Sequence, residues 1–117
     1  MFDQRQDIRL PRETPPQLVV VVDTEEEFDW NAEPDAGANR VTAMEHIGRV
    51  QDIFNEYGIR PCYVIDYPVA SQSQGYSLLR EYAQKGQCEI GAHLHPWVNP
   101  PQEEPLSRSN MYPGNLN

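Results

Sequence analysis

Two histidines, His93 and His95, stand two residues apart at the end of an apolar segment and just before a proline. If the segment is a β-strand, alternate side chains share one face, so the two imidazoles point the same way. Two imidazoles on one face at a strand end can bind a single transition-metal ion. An ordinary pair of histidines at a strand–loop junction remains the alternative, because histidine has other roles near neutral pH.

Acidic residues follow two other apolar segments of the chain. Asp23 and Glu25 come after the β-branched run at 18–22, and Asp66 ends the segment 61–65. In parallel α/β folds, ligand sites lie where the carboxyl ends of the strands meet. We therefore expect these three acids to converge with the histidines at one edge of a sheet. Asp is also favoured in turns, which is the alternative for Asp23 and Asp66.

This set of residue types suits hydrolysis assisted by a metal ion. Two imidazoles and one carboxylate hold a divalent ion and leave a position open for water. The ion lowers the pKa of that water and polarises a substrate carbonyl, and a second carboxylate accepts the proton as general base. Asp23 and Glu25 can divide these two roles. We expect zinc, but cobalt, nickel and iron also fit, and the residue types alone do not choose among them.

Several other residues near these motifs have two interpretations. Trp30 and Trp97 can form apolar walls around a sugar ring, or they can anchor a core or a loop. Glu26 and Glu27 are expected to be solvated parts of an acidic loop. His46 lies within a predicted helix and is expected to be structural or solvated.

The spacing of apolar residues predicts alternating strands and helices. The run at 17–23 predicts a strand buried on both faces, and 24–40 predicts a long loop. Residues 41–57 predict an amphipathic helix that begins with a capping box of Thr42 and Glu45 and ends at Gly58. A strand at 61–65, a helix at 73–85 that stops at Gly86, and a strand at 88–93 follow. This βαβαβ order predicts an α/β fold with parallel strands, and no strand or helix is predicted after Trp97.

Composition limits the classes of partner. The chain has 117 residues and a formal net charge of −9, so phosphate backbones and anionic membranes repel it, and no nucleic acid partner is expected. No segment approaches the roughly 20 apolar residues that span a bilayer, and residues 1–16 lack the apolar core of a signal peptide. These features predict a cytoplasmic location. The two cysteines are expected to be reduced, without a paired spacing for zinc.

The domain is predicted to be incomplete. Residues 1–16 form an extended, proline-containing lead-in, and residues 17–117 form one α/β unit. Three strands and two helices leave bare sheet edges. We therefore expect either a truncated chain or one that pairs with a partner, as in an oligomer formed through the exposed edge.

Two motifs of the chain resemble those of a known family. Residues 21–25 and 89–96 resemble the first two motifs of polysaccharide deacetylases, the NodB-homology or carbohydrate esterase family 4 group. Residues 57–64 are similar to that family's approach to its second strand. The WalW-type subgroup is the most similar, through Asp-Thr-Glu-Glu-Glu-Phe-Asp-Trp at 23–30 and His-Leu-His-Pro-Trp at 93–97. The resemblance covers residues 17–114, nearly the whole chain.

The resemblance implies a fold and a reaction. The fold would be the first part of a distorted (β/α) barrel, and the reaction would be metal-dependent removal of an N-acetyl or O-acetyl group from a carbohydrate. Asp23 would be the base, and Glu25, His93 and His95 would bind the metal. Trp30, Asp66 and Trp97 are candidate substrate-binding residues. The alternatives are a related hydrolase of other non-peptide C–N bonds and a non-catalytic fragment that binds metal or sugar.

The chain departs from the family pattern in three ways. Thr24 separates the two acids, which are adjacent in the usual first motif, so Asp23 and Glu25 could exchange roles. The usual second histidine lies four positions after the first, where this chain has Trp97, so His95 is either the second ligand or a residue that faces the substrate. The later motifs of the family have no match after Trp97. We therefore expect little or no turnover from this chain alone.

Overall fold

A three-stranded parallel sheet forms the centre of the computed structural model, which describes residues 8–112. The strands are β1 (Val21–Thr24), β2 (Cys62–Ile65) and β3 (Glu89–Ala92), and they lie in the order β1-β2-β3. The register aligns Thr24 with Ile65 and Ile65 with Ala92, so the carboxyl ends of all three strands lie side by side. The predicted α/β class and the parallel order of the strands are confirmed.

Helical segments connect the strands, as the apolar spacing predicts, but with different bounds. The segment predicted as one helix at 41–57 is a 3-10 helix at Thr42–His46 followed by α1 at Ile47–Glu56. The helix predicted at 73–85 is α3, Ser73–Gln84, and a short α2 at Tyr67–Ser71 precedes it. Gly58 and Gly86 follow α1 and α3 with φ of 64° and 70°, the left-handed conformation that favours glycine at a helix end.

The predicted capping box at Thr42 is wrong. Val41 precedes the 3-10 helix without a side-chain cap. The Thr42 hydroxyl instead donates to the Glu27 carboxylate, which also accepts from the Ala43 amide at 2.7 Å. A carboxylate distant in sequence therefore caps this helix, and Glu27 is not the purely solvated residue that was expected.

The prediction that no helix follows Trp97 is also wrong. Helix α4, Arg108–Met111, begins after Ser107, whose hydroxyl oxygen accepts from the Asn110 amide in a reciprocal capping box. A single turn of helix carries too few apolar positions for a periodicity to be visible in the sequence. Residues 8–16 form neither helix nor strand and are exposed, and residues 1–7 of the predicted lead-in lie outside the described range.

The main core lies between one face of the sheet and the helices. Tyr63 of the central strand is fully buried, and its hydroxyl donates to Gln51 Oε1 of α1 at 2.9 Å. Partly buried Val22 and Ile65 pack on the same cluster from the sheet. The buried apolar residues of the cluster are Val41, Met44, Tyr63, Val69, Leu79 and Cys88.

The first strand is shorter and more exposed than predicted. It begins at Val21 rather than at residue 17, and Leu18 and Val19 are 74% and 78% exposed. Val22 packs on the core, so its neighbour Val21 projects from the other face, where it is 58% exposed. The prediction of a strand buried on both faces is wrong, because the core packs on the Val22 side and the Val21 side is open to solvent. Within residues 8–112, no helix has the length and apolar character needed to cross a bilayer.

Candidate metal centre

The candidate site lies at the carboxyl edge of the sheet, where β1 and β3 end. Asp23 is the next-to-last residue of β1, and Glu25 directly follows that strand. Strand β3 ends at Ala92, one residue earlier than predicted, so both histidines lie in the following loop. The His93 amide still donates to the Ile65 carbonyl at 2.9 Å, which ties the start of this loop to the central strand.

Glu25, His93 and His95 form a triad of potential ligands. His93 Nε2 and His95 Nε2 lie 3.1 Å apart, and Glu25 Oε2 lies 3.1 Å and 3.2 Å from them. Ligand atoms about 2.0–2.1 Å from a tetrahedral ion are about 3.3 Å from one another. The three atoms therefore lie at nearly the separation that one shared metal ion requires. The structure thus brings together the three residues predicted as ligands.

The triad combines a buried rear with an accessible front. The His95 side chain is only 8% exposed, whereas His93 and Glu25 are 27% and 23% exposed. Asp23 lies in front of them, with its Oδ1 3.7 Å from His93 Nδ1, beyond hydrogen-bond distance. Its side chain is 69% exposed, so it can reach a molecule that approaches the triad from solvent.

Glu26 supports the triad from behind, which the sequence interpretation missed. Its side chain is fully buried, and it accepts hydrogen bonds from His95 Nδ1 at 2.9 Å and from Trp97 Nε1 at 2.8 Å. With Nδ1 directed at Glu26, the His95 ring turns its Nε2 toward Glu25 and His93. A carboxylate on the distal nitrogen of a ligating histidine is a regular feature of metal sites. The expectation that Glu26 is solvated is wrong.

Burial alternates with a period of two residues through the end of β1 and the acids that follow it. Thr24 and Glu26 are buried, whereas Asp23 and Glu25 are more exposed and face the cavity. The strand periodicity therefore continues past the end of β1. This alternation is the signal in the sequence that could have distinguished Glu26 from its neighbours.

Asp66 lies behind the triad rather than at the cavity wall. It is 1% exposed, its Oδ1 accepts from the Val69 amide at 3.0 Å, and its Oδ2 accepts from the Glu26 amide at 2.9 Å. It therefore caps α2 and holds the backbone of Glu26. Asp66 is therefore a turn residue, which was the alternative to a substrate contact. It does not line the proposed substrate cavity.

The buried acids form a hydrogen-bonded network with His95. Burial raises the pKa of Glu26, and a hydrogen bond with the Asp66 side chain adds to this, while His95 and Trp97 act in the opposite direction. A second group of side chains also has its oxygen and nitrogen atoms close enough to hold a metal ion, namely Glu26, Asp66 and His95. Their oxygen and nitrogen atoms are already engaged with each other and with backbone amides. This group therefore orients the triad.

A cavity of about 530 Å³ opens in front of the triad. The Trp97 ring is 5% exposed and stacks on His95, with ring centroids 4.4 Å apart, whereas Trp30 is 76% exposed at the rim. Met111 of α4 closes one side, so the helix that was not predicted contributes to the wall. His46, predicted to be structural or solvated, is exposed in the 3-10 helix and does not line the cavity. The lining residues are Asp23, Glu25, Trp30, His93, Leu94, His95, Pro96, Trp97, Met111 and Tyr112.

Comparison with known proteins does not place this chain. No protein-family model, no curated protein and no solved structure matches it. The resemblance to polysaccharide deacetylases therefore stays a prediction from the motifs. The functional interpretation depends on the geometry of the metal centre.

Proposed function

We propose that this chain carries the metal centre of a metal-dependent carbohydrate deacetylase. The observation that supports this most strongly is the triad of Glu25, His93 and His95, whose three ligand atoms lie 3.1–3.2 Å apart. The triad opens into a cavity with tryptophan walls, and sugars bind well against aromatic rings. The parallel β1-β2-β3 order with helical crossovers is compatible with the first part of a distorted (β/α) barrel, which we propose as the architecture. Further strands or a partner would then pair with the edges of β1 and β3.

The donor set suits a divalent cation, and we propose zinc. Two imidazole nitrogens and one carboxylate oxygen, with a position left for water, are characteristic of catalytic zinc sites. The hydrogen bond from His95 to Glu26 supports this assignment, because it fixes the ring orientation before an ion arrives. Cobalt, nickel and iron accept the same ligand types.

The residues of the chain suggest how hydrolysis would proceed. A bound divalent cation supplies Lewis acidity, which polarises an acetyl carbonyl and lowers the pKa of water. Asp23, accessible at the cavity rim and not a member of the triad, is positioned to accept the proton of the attacking water. Trp30, 76% exposed at the rim, would contact a face of the sugar ring, and the buried Trp97, stacked on His95, would line the cavity. Water would attack the carbonyl carbon, the proton taken by Asp23 would pass to the departing sugar nitrogen or oxygen as its bond to the carbonyl carbon breaks, and acetate would leave.

Acetate release tests this proposal. The purified chain, loaded with zinc, is incubated with N-acetylglucosamine oligomers and with an O-acetylated polysaccharide, and acetate is measured with a sensitive coupled assay. We expect slow release that stops in His95→Ala and persists in His46→Ala, a matched change of an exposed histidine. Zinc binding without acetate from any sugar would leave a binding module or a hydrolase of another C–N bond. Release of ammonia or amine from non-sugar amides would identify the latter.

A further inference from the structure

An aromatic cleft of about 260 Å³ adjoins the metal cavity and shares Trp30, Trp97 and Tyr112 with it. We define the aromatic cleft by these three residues together with Phe28. Its volume lies just below the range of about 300–1,000 Å³ for small-molecule sites, so it suits one sugar unit. The cleft is therefore a candidate for the position next to the reacting unit of a bound chain.

The four rings form a continuous wall that starts at a metal ligand. Trp97 stacks on His95 and lies 5.7 Å from Phe28, and Phe28 lies 4.4 Å from Trp30, measured between ring centroids. Tyr112 continues the wall on the other side, 6.4 Å from Trp97. Trp30 is 76% exposed, which leaves much of its ring for a ligand. A molecule on this wall would therefore be adjacent to the triad.

The charges around the cleft have one sign. Asp29, Glu33 and Asp35 line it, and none of its lining residues is basic. Asp29 and Asp35 each use Oδ1 to accept a bond from a nearby backbone amide, at 2.9 Å and 2.8 Å, and these bonds do not engage Oδ2. A carboxylate attracts a cation by its charge, and an aromatic face attracts it through the ring quadrupole. The cleft is therefore complementary to a ligand with an apolar ring face and a positive charge.

We propose that the aromatic cleft binds a saccharide unit that carries a protonated amine. This inference depends on the proposed function in its N-acetyl form. Hydrolysis of an N-acetyl group breaks the C–N bond, transfers the water oxygen to acetate and leaves an amine that takes up a proton. A unit deacetylated earlier would then occupy the cleft while its acetylated neighbour reaches the triad. The chain would thus prefer partly deacetylated polymers.

Binding to the metal-free chain tests the cleft independently of catalysis. The probes are a β-1,4-linked glucosamine tetramer and the matching N-acetylglucosamine tetramer, measured by calorimetry and tryptophan fluorescence at pH 6. We expect the glucosamine tetramer to bind at least about fivefold more tightly, with a preference that weakens as salt rises. In competition assays with the zinc-loaded chain, a partly deacetylated oligomer should release acetate faster than the fully acetylated one.

Two variants and one control distinguish the effect of the cleft residues on binding from the effect of the total charge of the chain. Glu33→Gln should reduce the preference by about two- to fivefold, and Trp30→Ala should weaken binding of both tetramers. Glu56→Gln removes the same charge from an exposed position in α1 and should change neither. Equal binding of the two tetramers, or an unchanged preference in Glu33→Gln, would overturn the assignment of the cleft and leave the metal-centre proposal intact. A retained preference without acetate release would support the cleft and count against the reaction.

Discussion

Glu26 accepts a hydrogen bond from the His95 ring, with Oε2 2.9 Å from Nδ1, although 69 residues separate the two in sequence. The same carboxylate accepts from Trp97 Nε1, and the Glu26 amide donates to Asp66. Residues from the ends of all three strands are thereby connected behind the triad. This arrangement holds His95 with its Nε2 toward the other two ligands, so metal affinity should depend on a residue that does not touch the metal.

Glu26→Gln should therefore weaken zinc binding while the fold is retained. Loss of such a partner of a ligating histidine costs about 10–100-fold in metal affinity, because the ring loses both its orientation and part of its basicity. Competition with a chromophoric chelator measures the dissociation constant, and circular dichroism checks the fold. Glu27→Gln is the matched control, since Glu27 caps a helix and has no hydrogen bond to the triad. Equal zinc affinity in wild type and Glu26→Gln would rule out the supporting role.

Removal of either histidine of the triad should abolish stoichiometric metal binding. His93→Ala and His95→Ala each leave only two of the three ligand atoms. Thermal unfolding with added zinc should show the loss, because a ligand at one hundred times its dissociation constant stabilises the native state by about 2.7 kcal/mol. Wild type and the exposed-site control His46→Ala should gain this stability, and the two triad variants should not. Retention of wild-type metal content by both variants would exclude the site.

Asp23 and Glu25 should differ in what their removal changes. Asp23→Asn should keep zinc and lose about 10²–10⁴-fold in acetate release, the usual contribution of a general base, because Asp23 lies outside the triad. Glu25→Gln should lose zinc as well as activity. Metal analysis together with the acetate assay reads out both properties, and Asp52→Asn in α1 serves as an exposed control. The opposite pattern would mean that the two acids exchange roles, the alternative that the D-x-E spacing leaves open.

The helix cap made by Glu27 should produce a pH-dependent contribution to stability. Hydrogen bonds from the Thr42 hydroxyl and the Ala43 amide lower the pKa of Glu27 below its ordinary value of 4.5. A carboxylate whose pKa is lower in the folded state stabilises the protein at pH values above its ordinary pKa. This contribution disappears as the pH falls through the folded-state pKa. Urea unfolding of the zinc-free chain should therefore show wild type more stable than Glu27→Gln at pH 7, with a smaller difference at pH 3. A difference that is the same at both pH values would contradict the cap.

Gly75→Ala should destabilise the packing of α3 on α2, which carries the cap Asp66. A Cβ at Gly75 would lie 2.5 Å from the Val69 carbonyl oxygen, a backbone atom that cannot move aside without shifting the helix. Overpacking of this kind costs about 1–3 kcal/mol. Gly37→Ala is the comparison, because its added Cβ would meet only ordinary contacts of 3.4 Å or more. Chemical denaturation of both variants gives the difference, and equal stabilities would show that the two helices separate easily.

The sequence by itself determined which residues could form the metal centre. The apolar segments and helix periodicity predicted the parallel α/β order, and that order brings the carboxyl ends of β1 and β3 to one edge. Glu25, His93 and His95 lie at those ends, so their proximity followed from chain order alone. Chain order was sufficient to place these residues next to the strand ends, although both histidines lie in the loop after β3 and not on the strand itself.

Only the tertiary structure decided what surrounds the triad. Glu26 is one of three consecutive glutamates. The two-residue alternation places it on the buried side, but no local pattern shows that its carboxylate contacts His95 and Trp97, 69 and 71 residues away. Asp66 became a helix cap instead of a substrate contact for the same reason. These contacts depend on how deep each strand end lies beneath the loops packed on it. That depth is a property of packing between distant segments, and residue type and spacing do not encode it locally.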